Sequence, residues 1–124
     1  MIELELIKLK RRECAVLPLV LMGEWYDKIR SGSKDEEYRT SPRVMRQIQR
    51  WWGLAKIESL IPIVEFRHGY AKDSPRMCLV ASGVFFRRAG EFINPDLGEP
   101  TDAPHYVIKL DGRVQFQPNK KINP

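Results

Sequence analysis

The hydrophobic positions in the first third of the chain follow two different periods. The continuous apolar run AVLPLVLM (15–22) predicts a buried strand, and the weaker alternation of IELELIKLK (2–10) before it predicts an exposed edge strand or a partly ordered arm. In the next segment, GEWYDKIRSG, the apolar residues recur at helical spacing and Gly32 supplies a stop. The pattern therefore predicts two strands followed by a short helix that ends at a glycine.

Charged residues dominate the stretch after this helix. SKDEEYR (33–39) must reverse the chain direction and enter a strand. A second helix is predicted next, because Ser41 suits an N-cap, Pro42 is tolerated in the first turn, and one face is apolar. This face carries Val44, Ile48, Trp51 and Trp52. The two adjacent tryptophans cannot both face inward, so we expect Trp51 in the core and Trp52 as a possible stacking platform.

Strand-like segments fill the second half of the chain. IPIVEFRHGY predicts a strand that ends in a turn, and MCLVASGVFF predicts a strand with a glycine interruption. HYVIKLDGRVQF predicts a hairpin whose arms meet at Asp111-Gly112. Glycines and prolines make 88–104 a long irregular loop. Together these segments predict an α+β fold, a small curled sheet or barrel with two helices packed on it.

Length and charge narrow this picture. A chain of 124 residues forms one domain, with a core at about 14–117 and a loose tail at 118–124. The 21 Lys and Arg outnumber the 16 Asp and Glu, which gives a net charge of +5 and a pI near 9.4. This balance favours a polyanionic partner such as nucleic acid.

Cysteine usage and the amino-terminal segment indicate a cytoplasmic protein. Cys14 and Cys78 lie in apolar, strand-like surroundings without a pairing pattern, so we interpret them as reduced core residues. Basic residues precede the first apolar run, as in a signal peptide, but Glu13 interrupts the junction and no small-residue cleavage site follows. The run is also too short to span a bilayer.

The sequence gives no sign of a cofactor or metal. It lacks a P-loop, a dinucleotide-binding glycine motif and a zinc-protease motif. His68 and His105 are isolated from other ligand-type residues at metal-binding spacing. We therefore expect neither a cofactor nor a metal site.

The segment 32–39 carries the densest candidate chemistry. Gly32 allows close backbone approach to a ligand, Lys34 can reach a phosphate or polarise a carbonyl, and Arg39 can hold a phosphate with two hydrogen bonds. Glu37 can keep the lysine charged, orient a water or accept a nucleobase amino group. The alternative is a purely structural network of ion pairs that fixes the turn without a ligand.

Two further groups of residues suit nucleic acid. Arg43, Arg46 and Arg50 fall on one stripe of the second helix, where they can follow a phosphate backbone or simply form a solvated face. A second cluster gathers at the end of a strand: Arg67, His68, Tyr70 and Lys72. In this cluster the tyrosine can stack on a base beside cations, or it can plug the core.

The spacing of Gly32, Lys34, Glu37 and Arg39 fits G-x-K-x-x-E-x-R, the signature of the ASCH domain family. The surroundings also resemble small bacterial and phage-type ASCH proteins over about 16–112. The matching positions are Trp25, Tyr26 and Ile29 before the signature, Tyr38 within it, Pro42, Trp51 and Trp52 in the following helix, Phe66, Gly69 and Tyr70 at a strand end, and Tyr106, Val107, Ile108 and Leu110 in a later strand.

This resemblance implies a PUA-like β-barrel, mainly antiparallel, with about five to six strands and an association with RNA. It also implies that the signature residues, including Tyr38, line a cleft that binds RNA or a modified nucleoside. Some small ASCH proteins hydrolyse the amide of an acetylated cytidine with the motif lysine, a threonine and a later glutamate. Here Glu37 replaces the threonine, and the strand 77–86 contains no glutamate.

Three functions stay open on these grounds. The first is an RNA- or nucleoside-binding domain whose cleft lies between 32–39, the arginine stripe and the Tyr70 turn. The second is a hydrolase, either a ribonuclease or a nucleoside amidohydrolase, with Lys34 and Glu37 as catalytic residues. The third is a non-catalytic domain that recruits a protein partner.

Overall fold

The computed structural model describes residues 6–90, 93–94, 99–100 and 103–117. Within these ranges the chain forms two α-helices, one 3-10 turn and eight strands. In chain order they are β1 (Ile7–Leu9), the 3-10 turn (Arg11–Glu13), β2 (Cys14–Leu21), α1 (Glu24–Ser31), β3 (Glu36–Arg39), α2 (Pro42–Ile57), β4 (Ile61–His68), β5 (Arg76–Arg87), β6 (Ile93–Asn94), β7 (Glu99–Pro100) and β8 (His105–Phe116). This is an α+β fold, and both helices lie between the first strands as predicted.

Six of the strands form one mixed sheet in the order β1-β8-β5-β4-β2. The strand β3 also pairs with β8, so β1 and β3 share one edge of β8 and lie at its two ends. The pairs β1–β8 and β2–β4 are parallel, and the other pairs of this sheet are antiparallel. Among the described residues no pairing joins β2 to β1 or β3, so backbone hydrogen bonds leave this sheet open.

The helix α2 packs against the sheet and supplies part of the main core. Ile48 is completely buried, and the indole Nε1 of Trp51 donates a hydrogen bond of 2.8 Å to the carbonyl of Ala15. Trp52 is half-buried at the edge of the same core, with the ammonium of Lys56 at 5.2 Å from its ring centroid. The assignment of Trp51 to the core is therefore confirmed, and Trp52 is not a fully exposed platform.

The end of α1 fixes where the charged segment begins. Gly32 has φ of 82°, and its amide donates to the carbonyl of Ile29 at the helix end. Because this left-handed conformation suits glycine, the predicted stop is confirmed. The amide of Lys34 then donates to the carbonyl of Lys28, which turns the chain into β3. At the next helix Ser41 is the N-cap residue of α2, although its side chain makes no capping hydrogen bond.

Both cysteines are free and buried in a second, smaller core cluster. Burial raises the pKa of Cys14. Burial also raises the pKa of Cys78 to about 12, and the carboxylate of Glu65, 3.7 Å from its Sγ, adds to this effect. The prediction that both cysteines lie in the core is confirmed.

The predicted hairpin at Asp111-Gly112 is wrong, because β8 runs without a turn from His105 to Phe116. It pairs antiparallel with the equally long β5, whose register shifts near Gly83. Gly112 does not have the positive φ that a tight hairpin turn requires. Instead, a Cβ at this position would lie 2.7 Å from Cδ1 of Ile7, so the glycine leaves room for the end of this exposed side chain of β1.

Other predictions lie partly or wholly outside the described residues. Within 88–104, β6 and β7 pair with each other, while the tail 118–124 lies outside the described ranges. None of the described helices is long and apolar enough to cross a membrane.

Candidate functional site

The charged segment 32–39 borders an open cavity of about 390 Å³. The end of β2, the start of α1 and the strand β3 supply its lining: Val20, Leu21, Met22, Trp25, Lys34, Glu37, Tyr38 and Arg39. We call this cavity the signature pocket. It brings together the two residues predicted as catalytic, Lys34 and Glu37, with Tyr38 and Arg39.

Glu37 is the centre of the signature pocket. Only 5% of the residue is exposed, although it carries a carboxylate. Its Oε1 lies 3.9 Å from Nζ of Lys34 and 3.8 Å from Nε of Arg39, and it accepts a 3.0 Å hydrogen bond from the backbone amide of Tyr38. Its other oxygen, Oε2, is buried and has no hydrogen-bond partner among the described residues. One carboxylate oxygen is thus held by three groups, and the second is left as an acceptor.

Two aromatic rings hold the Lys34 ammonium in place. Its Nζ lies 4.7 Å from the ring centroid of Trp25 and 5.3 Å from that of Tyr38. The lysine side chain is only 11% exposed. Because little water surrounds the ammonium, it interacts strongly with the faces of the two rings and with Glu37. Lys28 approaches Trp25 as well, at 4.6 Å from the centroid, but it does not line the pocket.

Arg39 joins two parts of the sheet that are not paired by backbone hydrogen bonds. Its Nη2 donates a 2.9 Å hydrogen bond to the carbonyl of Val20 on β2, while its backbone belongs to β3. The guanidinium also lies beside Glu37. Arg39 therefore has a structural role, the connection of β3 to β2, in addition to the phosphate contact predicted for it.

Gly32 lies outside the signature pocket. It lines a smaller cavity of about 260 Å³, together with Lys34, Asp35 and Gly112. A Cβ at Gly32 would meet no atom within 4 Å, so its positive φ, rather than close approach of another group, favours glycine there.

The arginine stripe lies on the exposed side of α2 and also lies outside the signature pocket. Arg43, Arg46 and Arg50 are all exposed. Arg46 lines a separate groove of about 500 Å³ between α2 and the start of β8. The residues of the predicted cleft therefore line three separate depressions: the signature pocket, the cavity at Gly32 and the groove at Arg46.

The residues of the predicted cluster lie at the end of β4 and in the turn that follows it. Arg67 donates hydrogen bonds from Nη2 to the carbonyls of Tyr70 and Ala71 at 3.0 and 2.9 Å, and His68 stacks on Tyr26 with ring centroids 4.7 Å apart. Tyr70 is 75% exposed, which rules out a core plug and leaves its ring open to solvent. Neither Arg67 nor Tyr70 lines the signature pocket.

The sequence missed some components of the signature pocket. Trp25 was predicted as part of the apolar spacing of α1 and of the ASCH-like surroundings but not as a ligand-binding residue, yet it lines the pocket and contacts Lys34. Val20 was assigned to a buried strand, yet its carbonyl anchors Arg39. The spacing of Trp25 just before the charged segment was an available signal, whereas no sequence signal marks one carbonyl on β2.

The signature pocket combines charged side chains with aromatic rings. No cluster of three His, Cys, Asp or Glu side chains suited to a metal ion occurs in the described ranges. At the signature pocket, one carboxylate lies between two cations, which leaves a net positive charge beside two aromatic rings. Such a site can bind an anion, stack on a flat ring and accept an N–H donor.

Comparison of the chain with protein-family models, with curated proteins and with solved structures found no match. The resemblance to the ASCH family therefore rests on the residues of the motif and its surroundings alone.

Proposed function

We propose that this chain binds RNA or a modified nucleoside in the signature pocket, within an ASCH-type, PUA-like architecture. The state of Glu37 carries the proposal. Its carboxylate is buried beside Lys34 and Arg39, and Oε2 has no hydrogen-bond partner among the described residues. Since buried polar atoms are normally satisfied, this oxygen suits an N–H donor from a ligand, such as the amino group of a nucleobase.

The other groups of the pocket support the same ligand class. Lys34 and Arg39 together exceed the charge of Glu37 by one, which favours a ligand that carries a phosphate. Trp25 and Tyr38 line the pocket with aromatic rings, and a base can stack on them where it displaces the Lys34 ammonium. The hydrogen bond between Arg39 and Val20, which joins β3 to β2, supports a sheet that curls towards a barrel.

Binding can be tested by fluorescence anisotropy with short single-stranded RNA and with free nucleosides, over a range of salt concentrations. The test compares wild type with Lys34→Ala and with the matched control Lys28→Ala. Both ammonium groups lie over Trp25, but only Lys34 lines the signature pocket. We expect salt-dependent binding that weakens about tenfold in Lys34→Ala and changes less than about twofold in Lys28→Ala. Absence of binding by wild type, or equal effects of the two substitutions, contradicts the proposal.

A hydrolase is the second candidate, because Lys34 Nζ and Glu37 Oε1 lie 3.9 Å apart at the wall of an open pocket. In this scheme the carboxylate acts as a general base towards water and the ammonium stabilises the developing negative charge. The binding mixtures can be analysed for cleaved RNA and for nucleoside products. Turnover that survives the double substitution Lys34→Ala, Glu37→Ala would exclude this candidate.

A further inference from the structure

The groove between α2 and the start of β8 is a second depression, with a volume of about 500 Å³. We call it the α2 groove. The helix contributes Pro42, Met45, Arg46 and Gln49, and the other side contributes Pro104 and Tyr106. An apolar surface beside an exposed arginine is suited to a ligand with a flat ring and a negative charge.

Tyr106 supplies the aromatic surface of the α2 groove. It is half-buried, and its ring meets the ring of Phe86 edge to face, with centroids 5.7 Å apart and an angle of 69° between the planes. This packing holds the tyrosine ring in place. Met45, which is half-buried on α2, lines the same groove and adds a polarizable thioether. A nucleobase can stack in such surroundings without sequence preference.

The positive charge of α2 favours a polyanion as the ligand of the α2 groove. The helix carries Arg43, Arg46, Arg50 and Lys56 but no acidic residue. None of the three exposed arginines forms an ion pair with another described residue. Their charges are thus not compensated within the described part of the chain, and they lie along one face of the helix at a spacing that can follow consecutive phosphates.

The two depressions are adjacent along the chain. Arg39 is the last residue of β3 and lines the signature pocket, while the next residue, Thr40, lines the α2 groove. Arg39 also pairs across the sheet with Tyr106, which belongs to the α2 groove. The two depressions therefore meet near Arg39 and Tyr106, and one extended ligand can reach both.

From these observations we infer that the α2 groove is a second subsite for single-stranded RNA, so that the ligand is a polymer rather than a free nucleoside. One nucleotide occupies the signature pocket, and a neighbouring base stacks against Tyr106 in the α2 groove. Arg46 binds the phosphate that joins these two nucleotides or the phosphate next to it. Arg43 and Arg50 bind further phosphates along α2. This inference rests on the proposed function, because it requires RNA in the signature pocket.

The first part of the test measures how affinity depends on ligand length. The probes are a free nucleoside, a mononucleotide and mixed-sequence single-stranded RNAs of about four to sixteen nucleotides, a range typical of single-strand binding sites. We expect affinity for the wild-type protein to rise at least about tenfold from the mononucleotide to the longer RNAs, because only they reach both depressions. Equal affinity for all probes overturns the inference.

The second part of the test uses charge reversal in the α2 groove. Arg46→Glu is compared with Arg12→Glu, which makes the same change at an exposed residue that lines neither depression. Arg46→Glu should weaken binding of the longer RNA about tenfold and leave the mononucleotide unaffected. It should also lower the salt slope by about 0.7 for each phosphate that the protein no longer neutralises. Tyr106→Leu should weaken the same RNA about tenfold, because the base can no longer stack on an aromatic ring.

The outcomes separate the two proposals. If no probe binds wild type, both the proposed function and this inference fail. If RNA binds and Lys34→Ala weakens it, but Arg46→Glu matches Arg12→Glu, only the α2 groove inference fails. The unfolding midpoints of Arg46→Glu and Arg12→Glu should lie near that of wild type, and Lys34→Ala and Tyr106→Leu should remain folded at the temperature of the binding assay, so that a loss of binding is not caused by a loss of fold.

Discussion

At the scale of single residues, Glu37 links the stability of the fold to the chemistry of the pocket. Its carboxylate is almost fully buried and balances Lys34 and Arg39, whose own side chains are mostly withdrawn from water. Removing one member of such a buried group leaves the others without compensation, and that loss exceeds the value of an exposed ion pair.

Glu37→Gln should therefore lower the free energy of unfolding by about 2 kcal/mol, because two cations lose their counter-charge while the shape is retained. Urea denaturation measures this change. Glu36→Gln is the matched control: it removes the same charge from the same strand at a more exposed position, and it should change stability by less than about 0.5 kcal/mol. Equal effects of the two substitutions would show that Glu37 is not the centre of a coupled charge group.

The pKa of Cys78 gives a second prediction at this scale. Because burial raises this pKa to about 12, folding favours the neutral thiol. The stabilisation is fully present below the pKa of the unfolded thiol, near 9.0, and is lost as the pH rises towards 12. The loss is at most about 1.4 kcal/mol per pH unit.

Urea denaturation of wild type and Cys78→Ala between pH 8 and 11 checks this prediction. The wild-type free energy of unfolding should fall with pH more steeply than that of the variant. Parallel curves would mean that the thiol does not contribute to the alkaline loss of stability.

The sequence predicted the residues of the signature pocket better than their partners. Lys34, Glu37 and Arg39 lie within six positions, so local spacing is enough to bring them together. The partner of Arg39 is the carbonyl of Val20, which is 19 positions away and approaches only through the tertiary arrangement of β2 and β3. Local patterns cannot identify such a backbone acceptor.

At the scale of secondary structure elements, the spacing of apolar residues and the residues that end helices were sufficient to predict most of the fold. Both helices and the strands β2, β4 and β5 lie where their apolar patterns predicted them, and β3 lies in the charged segment that was predicted to enter a strand. The failure at β8 has a physical cause. The dipeptide Asp111-Gly112 favours a turn locally, but pairing with β5 along its length and with β1 at its end outweighs that local preference.

Gly112→Val should loosen β1, because a Cβ at this position would lie 2.7 Å from Cδ1 of Ile7. Because Ile7 is exposed and the end of its side chain can turn aside, we expect a loss of at most about 1 kcal/mol in stability, with faster hydrogen exchange in the paired ends of β1 and β8. Adding Ile7→Ala to Gly112→Val removes the obstructing atom and should restore part of the stability. If the double variant is no more stable than Gly112→Val, steric conflict with Ile7 is not the reason for the glycine.

At the scale of the whole molecule, one side chain connects the two regions that strand pairing leaves apart. β2 lies at one edge of the main sheet and β3 at the other, and Arg39 spans from β3 to the carbonyl of Val20 on β2. The sequence alone could not predict whether the sheet closes, because strand patterns determine which segments pair locally and not how far the sheet curls.

Arg39→Met should therefore weaken the connection between β2 and β3 while keeping most of the side-chain volume. We expect about 1 to 3 kcal/mol of destabilisation, since the hydrogen bond to Val20 is removed and Glu37 loses one cation. The matched control Arg30→Met, at an exposed position of α1, should stay within about 0.5 kcal/mol of wild type in the same denaturation experiment. A similar small effect of Arg39→Met would mean that other interactions hold the two edges together.

The position of Trp25 gives the protein an intrinsic optical reporter. Its indole faces the ammonium groups of Lys28 and Lys34 at the signature pocket, whereas Trp51 is buried in the core and Trp52 lies beside Lys56. A positive charge near an indole ring changes the energy of its excited state, so a ligand that draws Lys34 away shifts the emission of Trp25 selectively. Unlabelled RNA could then be titrated by fluorescence alone, with Trp25→Phe as the silent reference.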